Sequence, residues 1–192
     1  MSFLYFDCFS GISGDMIIAA LLDAGASFEA LSRAMDGLDI SARLEHTPRS
    51  VQGIRCSSFS ISSSAAPLRH LHDIQSILEA SRLPSPIKLK SLEVFQRLAA
   101  AEAHVHGIKP DEVHFHEIGA VDTIVDVVGT LVCLDSLGIH QAYVSALPWS
   151  GGMTTMEHGR YPLPAPATAI LLTDYPCFLC DAGMELITPT GA

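Results

Sequence analysis

The sequence predicts an α/β (or α+β) fold: a mixed β-sheet with helices packed on it, in a single domain over residues 1–192. Three observations carry that expectation. Runs of large apolar residues at 2–7 and 141–147 have the length and flanking residues of strands. Longer stretches at 85–107 and 119–137 repeat apolar residues at helical spacing and stop at Gly107 and Gly138. A chain of 192 residues is also long enough to bury one real core.

Taken in order, the first strand (SFLYFD, 2–7) leads into the turn CFSGISGD and then the apolar helix MIIAALLDAG. Locally this is a tight turn with Ser13 or Asp15 capping the helix. The same strand–turn–helix arrangement can hold an anion on its backbone N–H groups, which makes Ser10, Gly11, Ser13, Gly14 and Asp15 candidates for a substrate phosphate. The Gly-Lys-Ser/Thr ending of a P-loop is absent, as is GxGxxG. Asp7 and Asp15, at the end of that strand, are alternatively placed to ligate a metal.

A second helix over 27–36 has Ser27 as its N-cap and Gly37 as its stop. Residues 41–49 and 52–63 form a strand pair turning near Gly53, and the Ser- and Pro-containing stretch 62–67 is a link. Residues 64–110 read as a helical excursion from the sheet, with His70 and His72 as exposed first-turn residues of a helix ending near Ser81. Pro84 and Pro86 open the next helix, whose stripe of Leu89, Leu92, Val94, Phe95, Leu98 and Ala99 faces the core. Beyond 147 the expectations are a small-residue loop at Ser150-Gly151-Gly152, a Pro-led helix ending near Leu172, and a last strand pair at 177–180 and 184–187. The terminal TPTGA reads as the start of a helix.

Composition excludes several function classes. With 11 basic and 21 acidic residues the formal net charge is −10, and no basic run appears, so nucleic acid is not an expected partner. No apolar run reaches the roughly 18 residues of a membrane span, and the N-terminus lacks the basic region of a signal peptide. Five scattered Cys make no disulfide framework, and the Cys177-x-x-Cys180 pair reads as two small apolar strand residues. The expected compartment is the cytoplasm. Only 17% of residues are charged and the mean hydropathy is +0.33, as expected of a surface covered in an oligomer or by further polypeptide.

Ligand-type side chains concentrate between 102 and 126. His104/His106 and His114/His116 are His-x-His pairs, with Glu102 before the first and Glu117 after the second. On a strand, His114 and His116 share a face. On helices, Glu102 with His106 and Asp122 with Asp126 are four-residue pairs. Imidazole with carboxylate suits zinc, nickel or iron, although the spacing is no standard zinc signature. The same residues read equally well as hydrogen-bonded loop histidines beside a solvated acidic face. Asp122 and Asp126 stand out because they interrupt a helix that is apolar nearly all round, where a lone carboxylate is costly.

The motifs YFDCFSGISGDM, RHLHDI, AEAHVHG, EVHFHEIGAVDTIVDVVG, ALPWSGG, HGRYPLPAPAT and ELITPTGA occur in order along the whole chain. Together they resemble the LarC family, the nickel-insertion proteins of the lactate racemase cofactor pathway. The resemblance implies a nickel chelatase, of the lyase class. It would insert Ni(II) between two thiocarboxylates of a pyridinium mononucleotide, in a reaction that uses CTP with Mg(II) or Mn(II). Members are longer than this chain or split between two chains, so it corresponds to an N-terminal half, with the CTP-binding C-terminal half as a partner and a homo-oligomer expected. The long poly-His tract of some members is absent. The expected nickel ligands are His114, His116 and Asp122, with His104, His106, Glu117 and Asp126 around them; no catalytic residue is singled out. Two other readings use the same residues: a metal-dependent hydrolase or phosphatase that activates water, and a non-catalytic assembly domain.

Overall fold

The structure, a computed structural model, describes residues 3–63, 70–115, 121–156 and 159–192. Its centre is the helix α5 (Val121–Ser136), with α1 (Gly14–Asp23), α2 (Phe28–Asp36) and α4 (Ser85–His106) packed around it. Nine side chains or glycines of α5 are buried, from Val121 to Cys133. The seven apolar side chains among them join Ile18, Leu21, Leu31, Met35, Ile74, Leu78, Phe95 and Leu98 in one apolar cluster. Gly129 lets α5 approach α1 and α2: a Cβ there would stand 2.9 Å from Ile18 Cδ1 and 3.0 Å from Leu31 Cδ1. The helices α3 (Leu71–Ala80) and α4 contribute to the same cluster as α1 and α2.

Among the described residues the strands form two-stranded ribbons rather than one broad sheet. Among the described residues there are four pairs, two parallel and two antiparallel. β1 (Leu4–Phe6) runs parallel to β4 (Ala142–Val144), and β5 (Leu147–Ser150) runs parallel to β8 (Cys177–Cys180). The α/β class with mixed strand directions is therefore as expected, but α5 and not a sheet forms its middle. The long hairpin β2 (Ala42–Val51) and β3 (Ile54–Ser63) lies over α1, turning at Gln52 and Gly53 with φ of 51° and 83°. Ser27 caps α2 by accepting from the Ala30 N–H at 3.1 Å.

Several expectations change. Of the loop expected at Ser150-Gly151-Gly152, Ser150 ends β5, and after Gly152 comes an antiparallel hairpin that was not expected, β6 (Met153–Met156) with β7 (Gly159–Pro162). Its strands are only four residues long, too short for a period-2 signal to stand out. The last expected strand at 184–187 is reduced to one parallel bridge, Ile187 with Ile12. The terminal TPTGA forms a hydrogen-bonded turn, with the Gly191 and Ala192 N–H groups donating to Thr188 O. The expected link at 62–67 is β3 as far as Ser63, and 64–69 lie outside the described residues. Cys177 and Cys180 are unpaired strand residues, as read from the sequence.

Candidate functional site

The turn after β1 is pinned from below by the end of the chain. Ile12 donates to Leu186 O at 2.9 Å and accepts from the Thr188 N–H at 3.3 Å. Gly11 adopts φ +108°, and a Cβ there would sit 2.2 Å from Leu186 O, so only glycine fits. Gly14 opens α1 directly against Asp126, where a Cβ would fall 2.3 Å from the carboxyl carbon. These close approaches bring three distant segments around one cavity of about 520 Å³. It is lined by Ser13 and Asp15 of the turn, Asp122, Thr123 and Asp126 of α5, Glu185 and Thr188–Thr190 of the C-terminal segment, and Phe59–Ile61 of β3.

Asp126 is the most perturbed carboxylate there. Its Oδ2 accepts from the Thr190 hydroxyl at 3.0 Å, while Oδ1 is enclosed with no hydrogen-bond partner among the described residues. Burial above all raises its pKa to about 7; the nearby charges of Asp15 and Asp122 add to this and the Thr190 bond opposes it. Thr190 in turn is held by Thr188 Oγ1 at 3.1 Å and accepts weakly from the Gly14 N–H at 3.4 Å. Asp122, one turn earlier and exposed, accepts from the Thr123 N–H at 2.9 Å. Asp15 accepts from the Ser13 hydroxyl beside it.

Four carboxylates, those of Asp15, Asp122, Asp126 and Glu185, face one concavity with no basic residue lining it among the described residues, which suits a cation or a cation-bridged anion better than a bare phosphate. The turn reaches this cavity through Ser13 and Asp15. Ser10 is exposed, Gly11 faces the Leu186 backbone, and the backbone N–H groups of Gly11, Ile12 and Gly14 already bond to Cys8 O, Leu186 O and Thr190 Oγ1.

No histidine among the described residues lines this cavity. His114 does not lie in a strand: a 3-10 turn at Pro110–Glu112 precedes it, and only Phe115 makes an isolated bridge. The period of two survives without a ladder, with Val113 and Phe115 buried (2% and 1% exposed) and His114 exposed between them. Its ring lies 3.9 Å, centroid to centroid, from that of His70. His70, expected to be exposed, is half-buried and donates Nδ1–H to Val113 O at 3.1 Å. His72 stacks on His70 at 5.5 Å and pairs with Asp73 at 3.1 Å. His106 pairs with Glu102 at 3.6 Å along the last turn of α4, at the four-residue spacing the sequence indicated, and His104 is exposed on that turn.

His116 and Glu117 lie outside the described residues. Among the described residues no three of His, Cys, Asp and Glu stand close enough to share a metal ion; the acids line the cavity and His114 adjoins His70. Glu185, Thr188 and Thr190, which line the cavity, and His70, which adjoins His114, are residues that the sequence alone did not single out as site residues. The only signal for them was their place in the RHLHDI and ELITPTGA motifs.

No solved structure matches the chain. Among curated proteins, the pyridinium-3,5-bisthiocarboxylic acid mononucleotide nickel insertion protein of Desulfitobacterium hafniense (strain DSM 10664 / DCB-2) is 45% identical over 194 residues, covering 100% of this chain and 48% of the relative. The protein of the same name from Staphylococcus epidermidis (strain ATCC 12228 / FDA PCI 1200) is 41% identical over 191 residues, covering 98% of this chain and 48% of the relative. The chain thus spans about half the length of these relatives. A carboxylate cavity built by the DCFSGISGD turn, the AVDTIVD helix and the TPTGA end draws on motifs spread over the length that the family description matches, residues 4–192. On that match and those identities, the chain belongs to the nickel insertion protein family.

Proposed function

We propose that this chain is the nickel-holding part of a chelatase that inserts Ni(II) into a pyridinium-3,5-bisthiocarboxylic acid mononucleotide. The observation that carries the reading is the convergence of Asp15, Asp122 and Asp126 on one cavity in a member of the nickel insertion family. Neutral imidazoles and carboxylates handle the ion in this reading, with His114, His116 and Asp122 as ligands and His104, His106, Glu117 and Asp126 around them; His114 stands beside His70 and outside the lining of the acid cavity, so the two groups act on the ion separately unless they close on it. Thiocarboxylate sulfur is a softer donor than either, so transfer to the substrate is favoured by ligand type. The Ser10–Asp15 turn receives the substrate phosphate, with a divalent ion between it and the carboxylates. CTP with Mg(II) or Mn(II) is assigned to the part of the relatives that this chain does not span, which acts as its partner within a cytoplasmic homo-oligomer.

Equilibrium dialysis of the chain against Ni(II), with bound metal quantified, tests this directly. His114→Ala and Asp122→Asn should each weaken binding by about tenfold or more. Equal nickel affinity in wild type and both variants would overturn the ligand assignment. Transfer is checked by adding the bisthiocarboxylate mononucleotide to the nickel-loaded chain and following nickel–sulfur charge-transfer absorption.

A further inference from the structure

We propose that His70, paired with His114, is itself a nickel ligand; this rests on the nickel-holding reading above. The pair is prepared on both sides. His70 donates Nδ1–H to the carbonyl of Val113, which fixes the neutral ring as the tautomer whose Nε2 carries the lone pair. A ring nitrogen bonded to a backbone carbonyl is the usual outer support of a metal-bound histidine. The backbone of His70 is also anchored, because its N–H donates to the Asp73 carboxylate at 2.9 Å and its C=O accepts from the Asp73 and Ile74 N–H groups. His114 is held between the buried Val113 and Phe115. Two rings 3.9 Å apart, one bonded to a backbone carbonyl and the other carried between two buried neighbours, lose little freedom on capturing an ion.

His72 lacks this preparation. Its side chain is 74% exposed and paired with Asp73 in solvent. Among the described residues no third His, Cys, Asp or Glu joins the His70–His114 pair. Binding consumes no proton at Nε2 of a neutral ring and involves no change in oxidation state.

The test titrates Ni(II) alone into the full chain and reads affinity by calorimetry. It also reads the imidazole resonances of ¹⁵N-histidine-labelled protein, where paramagnetic Ni(II) bleaches its ligands first. His70→Ala and His114→Ala should each lower affinity by about tenfold or more, and the double variant should lose less than the product of the two. His70 and His114 resonances should vanish together at substoichiometric metal, while His72→Ala binds like wild type. Should His70→Ala not fold, His70→Asn, which keeps a capping residue before α3, takes its place. Wild-type affinity in the His70 variant with loss in His114→Ala overturns this inference and leaves the nickel reading standing. An equal loss in His72→Ala, meaning that the start of α3 is merely loosened, overturns it too. No Ni(II) binding by wild type overturns both.

Discussion

Asp126 couples the chemistry of the cavity to the stability of the fold. Its folded pKa of about 7 lies above the ordinary value of 3.8, so between those values the native state holds a proton that the unfolded chain has released. Stability therefore falls as pH rises through that window and is lowest above it, the reverse of a salt-bridged carboxylate. Asp126→Asn keeps an acceptor for Thr190 and removes the charge. Its stability relative to wild type should grow by roughly 4 kcal/mol from about pH 4 to about pH 8, read from paired denaturant curves. A difference independent of pH would show that the carboxylate is not desolvated in solution. Thr190→Val removes the one hydrogen bond that lowers this pKa, so the Asp126 carboxyl should titrate above about pH 7 by NMR. On the nickel-holding reading, the buried acid is kept because its remaining oxygen, left unbonded among the described residues, is a donor for a cation.

The crossing of α1 and α5 decides where that carboxylate points. Gly14 supplies the space, since a Cβ there would overlap the Asp126 side chain. Alanine in the first turn of a helix is ordinarily neutral or stabilising. Gly14→Ala should instead cost about 1–3 kcal/mol and weaken nickel binding, because Asp126 must turn away to make room. A shifted urea midpoint with an unchanged slope is the expected record. Stability equal to wild type would mean that α1 slides without cost. Serine at the turn has a different part: Ser13 precedes the helix in an extended conformation and bonds Asp15, which it holds at the rim of the cavity.

At the scale of the molecule, the C-terminal segment closes the cavity from the far end of the chain. Ile187 is 2% exposed and belongs to a small second core with Cys8, Ile12, Leu147 and Leu172, apart from the large cluster around α5. Ile187→Ala should cost about 2–4 kcal/mol. It should also loosen Thr188–Thr190 before the rest of the protein unfolds, giving faster amide exchange at Ile12 and Thr188 than in α5. Uniform exchange across both cores would contradict this two-part construction. None of the described helices is long and apolar enough to cross a membrane.

The sequence by itself determined the elements whose signals are local: the caps at Ser27 and Gly107, the hairpin at Gly53, the apolar run of α5 and the pairing of Glu102 with His106. Its motifs also determined the family. It marked Asp122 and Asp126 as anomalous for the same local reason, acids in an apolar helix. Grouping of the side chains was decided only by the tertiary structure. Asp126 meets Thr190 across 64 residues, and His70 meets Val113 across 43. A period of two or 3.6 says which face a residue occupies, not what will be packed against it. That partner depends on how α1, α5 and the C-terminal strand-like segment stack, which is set by shape and burial summed over the whole core.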